Sequence, residues 1–520
     1  MTIVTSLHDL LERSAHAHSD AAALTYRDRT VSYAELWREV RVVAAHLAEL
    51  GVRRGDRVAI YLEKRIETVV ATFAASAVGA VFVPVNHVLK PVQVSHILID
   101  SGATVLISSG DRLSLLAGIL PATDVADALV VDGGVVQAEP PVRVHPWEIA
   151  PVGVSTTTAA MVDGDAAAIL YTSGSTGKPK GVVLSQRNLV VGAESVSTYL
   201  RNTSADVILS VLPLSFDAGF SQVTTAVAVG AHCVLVNYLL PRDVPKLCEK
   251  YGVTGLTCVP PLWQQLADVP WPTAAAQRLR YWANTGGRMP RPLLDRLRAT
   301  FPAAAPYLMY GLTEAFRSTY LHPSEVDARP ESIGKAIPNA EVLVLDPMGM
   351  PCPPGVPGEL VHRGPLVALG YWNDPERTAE RFRPVIRPDQ PWRAPERAVW
   401  SGDTVVADDE GFLSFVGRTD DMIKTSGYRV SPTEIEEAAY ATGLVRDAVA
   451  FGVEDATLGQ RIVLVVSAIA ATLDEAELTA ALRVSLPLYM VPTRIDVRGE
   501  LPRSPNGKFD RALIKQGMPS

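Results

Sequence analysis

The sequence is poor in the features that tie a chain to an oxidising compartment, a membrane or nucleic acid. Its 520 residues include only four cysteines (Cys233, Cys248, Cys258, Cys352), far apart, without CxxC spacing or His-rich neighbours. That excludes a disulfide framework or a cysteine-ligated metal as the organising element and suits a reducing compartment. Basic runs are missing: 48 Lys and Arg stand against 56 Asp and Glu, a formal net charge of −8. Such a surface is a poor partner for a phosphate backbone. The opening MTIVTSLHDLLERSAHAHSD carries acids early and lacks a basic-then-apolar leader pattern. A long uncharged run, residues 68–86, is broken by Ser76, Gly79 and Pro84. It reads as a buried helix passing into a strand, because a spanning helix needs about 20 mostly apolar residues. Neither nucleic acid nor membrane is expected as a partner, and a cytoplasmic location is.

What is present is the alternation of helical and strand patterns. SYAELWREVRVVAAHLAELG has apolar positions at helical spacing and stops at Gly51, DRVAIYLE is β-rich, and ETVVATFAASAVGAVFVPVN repeats helix and strand. DVILSVLPLS, HCVLVNYLL and VTGLTCVPPLWQQLADV continue the series, which implies parallel sheets covered by helices. After about residue 355 the texture changes to short strands and Gly/Pro turns, and the last hundred residues form a compact α+β pattern. The expected organisation is α/β. A large N-terminal domain (1–417), with a small β-rich subdomain over about 355–417, precedes a small α+β C-terminal domain (418–520).

One loop stands out. LYTSGSTGKPKG (170–181) places glycines, two lysines and four serines and threonines between an apolar strand run, AAAIL, and VVLSQRNLVVGAESVSTYL, read as a helix. A Walker loop needs G-x-x-x-x-G-K-[ST], whereas Gly174, Gly177 and Lys178 are followed by Pro179. Glycine-turn N–H groups with Ser173, Ser175 and Thr176 hydroxyls still make a phosphate cradle, and Lys178 and Lys180 add positive charge.

YTSGSTGKPKGV resembles the signature loop of the adenylate-forming superfamily: acyl-CoA synthetases, adenylation domains of nonribosomal peptide synthetases, and firefly-type luciferases. The resemblance runs nearly end to end, through MYGLTEA, GELVHRGPLVALGYW, WSGDTV, GRTDDMIKTSGYRVSPTEIE and LPRSPNGKFDR. One departure is Gln186, where many members carry His; this is expected to alter packing near the acyl end. The resemblance implies ATP-dependent activation of a carboxylate with loss of pyrophosphate, followed by transfer to a thiol. It implies that Thr172, Ser173, Gly174, Ser175, Thr176, Gly177 and Lys178 embrace the β- and γ-phosphates. Tyr310 and Gly311 with Gly286 and Gly287 would hold adenine, and Thr313 the α-phosphate. Glu314 would bind Mg²⁺, while Asp403 would bind the ribose with Arg418 nearby. Lys508 would bridge the acyl carboxylate and α-phosphate. The C-terminal domain would then turn as a mobile lid about Asp420 and bring Lys424 and Gly427 to the incoming thiol.

The segment LPLSFDAGF bears on the acid. Its FDA triplet resembles peptide-synthetase adenylation domains, whose Asp pairs with a substrate ammonium. A buried carboxylate is costly unless paired, so an amino group is a natural partner for Asp217; a helix-capping role is the plainer alternative. Motif alignment adds Phe216, Ala218, Cys258, Ala283, Thr285, Met309, Gly311, Arg317 and Ser318 to the acyl pocket. Arg317 would either clamp a second substrate carboxylate or pair with Asp217 or Glu314. No carrier domain with a GGxS-like site and no HHxxxDG motif is present, so a stand-alone enzyme is expected. It would activate a compact, even dicarboxylic, amino acid and load a separate phosphopantetheinyl carrier protein. The alternative is an AMP-forming acyl-CoA synthetase for a small acid, with coenzyme A as acceptor. A luciferase-like oxygenase has no supporting motif.

Overall fold

The computed structural model describes residues 4–132, 142–147, 160–172, 179–238, 240–385, 391–392, 394–418, 422–469, 473–502, 509 and 511–516. Two sheets with parallel cores organise the first two thirds. In one, Ala22–Tyr26, His232–Leu235, Val207–Ser210, Gly255–Cys258, Tyr281–Asn284 and Ala305–Tyr310 run parallel. In the other, Asp127–Val130, Val105–Ser108, Arg57–Tyr61, Val81–Pro84 and Ala166–Thr172 do so. These strands are short apolar runs with both faces covered, the pattern of a buried parallel sheet. Helix Ile66–Ala77 is apolar all round and buried at every position but Glu67, as befits a helix packed on all sides. One core joins the two sheets across it, and the Phe82 and Phe220 rings meet there at 5.3 Å.

The antiparallel strands between Ser332–Ala336 and Leu413–Arg418 extend the first sheet and begin before the Gly/Pro-rich change of texture. Beyond them Val445–Asp455 and Gly459–Ala468 form a ribbon, and the free edge of Gly459–Ala468 carries both Arg494–Val497 and the hairpin Ile423–Thr425/Tyr428–Val430. Helices Pro432–Ala441 and Glu475–Ser485 cover one face of that ribbon. Among the described residues no helix is long and apolar enough to cross a membrane.

Two local expectations need correction. The segment after the glycine loop is not helical throughout: Lys180–Ser185 is a strand paired antiparallel with Ala166–Thr172, and the helix starts at Gln186. Val182 and Val183 favour the pleated strand. Ser185 then caps the helix, its Oγ accepting from the Asn188 N–H while Asn188 Oδ1 accepts from the Ser185 N–H.

Gln186 itself packs at the start of helix Leu7–Ala17, not near the acyl end. It is fully buried, and its Oε1 accepts from the Leu7 N–H at 2.9 Å and from Ser76 Oγ at 3.3 Å. It satisfies an N–H that the first helical turn leaves without a partner. Gln186→Ala is therefore expected to cost about 1–3 kcal/mol of stability, read as a lower urea midpoint, with pyrophosphate exchange per folded molecule unchanged.

Candidate active site

The site collects at the carboxyl ends of the parallel strands, where open α/β sheets bind ligands. Thr172 closes the strand Ala166–Thr172, and its buried Oγ1 lacks a hydrogen-bond partner among the described residues. Residues 173–178, and with them Ser173, Gly174, Ser175, Thr176, Gly177 and Lys178, lie outside the described residues, as do Asp420 and Lys508.

Glu314 sits in a short 3₁₀ turn, Thr313–Ala315, and is buried. Lys180 Nζ reaches its Oε1 at 3.1 Å, and the Tyr371 hydroxyl donates to the same oxygen at 2.7 Å. Tyr371 also accepts from Lys180 Nζ at 2.7 Å, closing a triangle. Burial pushes the Glu314 carboxyl up, but Lys180, with the charges of Arg381 and Arg429 and the Tyr371 hydroxyl, outweighs it and holds the group well below the usual carboxylate range. Lys180, read from sequence as a phosphate-facing cation, serves as the partner of Glu314. Both of these bonds fall on Oε1. Mg²⁺ takes one or two protein carboxylates and completes its shell with phosphates and water. Glu314 fits that donor role; among the described residues no cluster of three or more metal-ligating side chains forms a protein cage.

Around this carboxylate stand the residues assigned to the nucleotide. The Tyr310 hydroxyl donates to Asp403 Oδ2, and Asp403 is buried and paired in register with Arg418 across the sheet. Gly286, Gly287 and Gly311 bring bare backbone to the same strand ends; a Cβ on Gly311 would lie 3.0 Å from the Arg317 Cα. Thr313 Oγ1 lies 3.4 Å from Asp217 Oδ1.

Asp217 is the first residue of helix Asp217–Val229, one position past the Phe216 N-cap. Its Oδ2 accepts from Arg317 Nη1 at 2.8 Å, and both side chains are largely buried, at 13% and 3% exposure. Of the two pairings open to Arg317 within the chain, this is the one made. Burial nevertheless leaves the Asp217 carboxyl raised, only partly offset by Arg317 and the Ala218 N–H. The buried Arg317 Nε has no acceptor among the described residues.

Arg317 also walls a narrow cavity of about 20 Å³ with Ala218 and Met309, Met309 Sδ accepting from the Tyr199 hydroxyl at 2.9 Å. Ser221, Gln222 and Thr225 line it too. They follow Ala218 at helical spacing on one face of Asp217–Val229, a periodicity that reveals them once Ala218 is placed. Thr257 lines the cavity; its neighbour Cys258 points to the other side of the strand, where burial pushes its thiol well up. Ala283, Thr285 and Ser318 are buried beside the cavity without lining it; Ser318 Oγ bonds His362 Nδ1 at 2.9 Å.

Phe216 faces elsewhere, into an open cavity of about 40 Å³ with Thr172, Ser215, Tyr428 and Tyr489. Its ring meets the edge of Tyr428, which stacks on Tyr489 at 3.7 Å. This cavity forms where the C-terminal hairpin rests on the N-terminal strand ends. Ser426 and Gly427 form its two-residue turn, both with positive φ (52° and 80°), the geometry of a type I′ hairpin. A Cβ on Gly427 would lie 2.7 Å from Val259 Cγ2, so glycine permits the close approach. The Lys424 N–H, one strand residue before the turn's flank, donates to Gln460 Oε1 at 2.9 Å.

Chemically this is the equipment of an adenylate-forming ligase, which uses ATP to activate its acid. The chain belongs to the AMP-binding enzyme family: residues 11–372 match that family, and residues 434–508 match the AMP-binding enzyme C-terminal domain. It is 30% identical over 546 residues to a long-chain-fatty-acid–CoA ligase of Escherichia coli O6:H1, covering 98% of this chain and 94% of that one. It is also 30% identical over 519 residues to tyrocidine synthase 3 of Brevibacillus parabrevis, a match that takes in 99% of this chain and 8% of that much longer one. The o-succinylbenzoate CoA synthetase of Bacillus subtilis superposes with a TM-score of 0.83 at 26% identity, over 98% of each chain.

Proposed function

We propose that this chain adenylates a compact amino acid bearing a second carboxylate, such as aspartate or a methylaspartate, and passes the acyl group to the phosphopantetheine thiol of a separate carrier protein. The observation that carries this reading is the buried Asp217–Arg317 pair beside the acyl cavity. Asp217 remains short of positive charge and Arg317 Nε short of an acceptor among the described residues. A ligand with an ammonium and a carboxylate complements both; a hydrocarbon tail complements neither.

In the first step the acid's carboxylate oxygen attacks the α-phosphorus and pyrophosphate leaves. Catalysis here is positioning and charge neutralisation. Thr172 Oγ1 would donate at the phosphate end, and the hydroxyls and Lys178 of residues 173–178, which lie outside the described residues, would do so with it. Thr313 would take the α-phosphate and Lys508 would bridge it to the acid. Asp403 would hold the ribose, with Tyr310 against adenine. Mg²⁺, when bound through Glu314, would neutralise phosphate charge. In the second step the thiol attacks the acyl carbon and AMP leaves with the bonding electrons. The hairpin of Lys424 and Gly427, turned about Asp420, would flank the thiol's approach.

The test for the acceptor is intact-mass analysis after incubation with ATP, the acid, and either a holo-carrier protein or coenzyme A. A carrier heavier by the acyl group is expected. Coenzyme A thioester formed at a comparable rate would overturn the carrier assignment and leave the adenylation step standing.

A further inference from the structure

Arg317 is aimed by a backbone conformation that its own side chain does not explain. Phe316, immediately before it, has φ 57° and ψ −62°, in the positive-φ half of the map that side-chain-bearing residues avoid. The Arg317 N–H folds back onto the Ala315 carbonyl at 2.6 Å, so residues 315–317 make a single tight γ-turn. No glycine or asparagine eases it. What holds it is the Phe316 ring, fully buried in the main core against helix Gln186–Tyr199.

The ring lies where a side chain at Gly192 would be. A Cβ built on Gly192 would fall 2.6 Å from Phe316 Cδ1 and 2.7 Å from Cε1. A glycine inside a helix is a poor helix former, and this one makes room for the ring. The turn has two consequences for Arg317. The Phe316 carbonyl accepts from Arg317 Nη1 at 3.1 Å, and the same Nη1 donates to Asp217 Oδ2 at 2.8 Å. The guanidinium is thereby bent across the acyl cavity, with Nε left without an acceptor among the described residues.

We propose that Phe316 and Gly192 form a lock that sets the direction of Arg317 and so determines which acids the enzyme prefers. Neither residue touches the acid; both are positioning residues. Strain that the surroundings hold in place is a feature of sites needing a pre-set geometry. The proposal rests on the acyl-pocket reading above, in that Arg317 must face the acid.

The test is pyrophosphate exchange over a panel of aspartate, 3-methylaspartate, alanine, succinate and propionate. It compares wild type, Gly192→Ala, and Gly192→Ala combined with Phe316→Leu. Alanine suits a helix, but its methyl overpacks the core against the Phe316 ring, so Gly192→Ala is expected to fold with a lowered melting temperature, and its kinetics are read per folded molecule at a temperature below its transition. Its methyl displaces the ring and lets the turn relax. The ratio of kcat/KM between the acid wild type uses best and the next chemical class should fall about tenfold or more. kcat for the best acid should change less than about threefold, since the phosphate-binding groups are untouched. The smaller leucine in the double variant should recover most of the lost preference, a coupling expected only for groups in contact. An unchanged preference in Gly192→Ala overturns the lock. So does an equal loss for every acid, or a double variant no better than the single one. The wild-type panel separately decides whether a dicarboxylic amino acid is the best substrate; the lock is judged on the change in ratio, whichever acid leads.

Discussion

Asp217→Ala is expected to reduce pyrophosphate exchange with the best amino acid by about a hundredfold or more, chiefly through KM. Two losses add. The substrate ammonium would enter a largely buried site without its counter-charge, and Arg317, 3% exposed, would lose its only carboxylate among the described residues. Removing one partner of a buried pair typically costs about 3–5 kcal/mol. Melting temperature must therefore be recorded beside activity, and Asp217→Asn supplies an isosteric control. The double change Asp217→Ala with Arg317→Met separates the two losses. It should recover stability, because no charge is left stranded, and should still fail with the amino acid. Full activity in any folded variant lacking the Asp217 carboxylate would mean that the ammonium sits elsewhere.

Glu314→Gln should have an effect of similar size on the chemical step. The Glu314 carboxylate is buried and held ionised by Lys180 and its neighbours. Its amide analogue keeps the shape but offers a cation no charge and leaves the Lys180 ammonium unneutralised. Exchange is expected to fall about 10²–10³-fold in kcat for every acid alike, the size seen when a charge-stabilising group is removed. Lys180→Met on top of Glu314→Gln should restore stability without restoring exchange. The contrast with Asp217 is the diagnostic: Glu314 variants lose turnover across the whole panel, while Asp217 variants lose it for amino acids. A Glu314→Gln enzyme with wild-type kcat would remove the residue from the phosphate chemistry.

Much of this arrangement was legible in the sequence, for identifiable reasons. The strands were visible because AAAIL, GLTC and HCVL are short apolar runs, and a glycine-rich loop follows the first of them at the ligand edge. The motif residues Tyr310, Thr313 and Glu314 sit together because Tyr310 closes a strand and the other two follow in the turn after it, while Asp403, inside the strand Glu396–Ala407, meets the Tyr310 hydroxyl. Other features depend on contacts that no local pattern encodes. Lys180 and Lys178 look equivalent as a KPK pair, but pairing of Lys180 with Thr172 across the hairpin turns Lys180 onto Glu314. Arg317 and Asp217 are separated by 100 positions, so their pairing was one alternative among several until the strands were placed. Gln186 sits at the start of a helix whose partner is the remote Leu7 N–H. Phe316 carries no sequence mark of its left-handed backbone, because the ring's burial rather than residue type sustains it.

The central claim is that the Asp217–Arg317 pair reads an amino group together with a carboxylate. Its most direct test is ATP–pyrophosphate exchange by the wild-type enzyme with aspartate and with succinate, the same carbon skeleton without the amino group. Exchange with aspartate exceeding that with succinate by about a hundredfold or more is the expected result. Succinate equal to or better than aspartate would contradict the account.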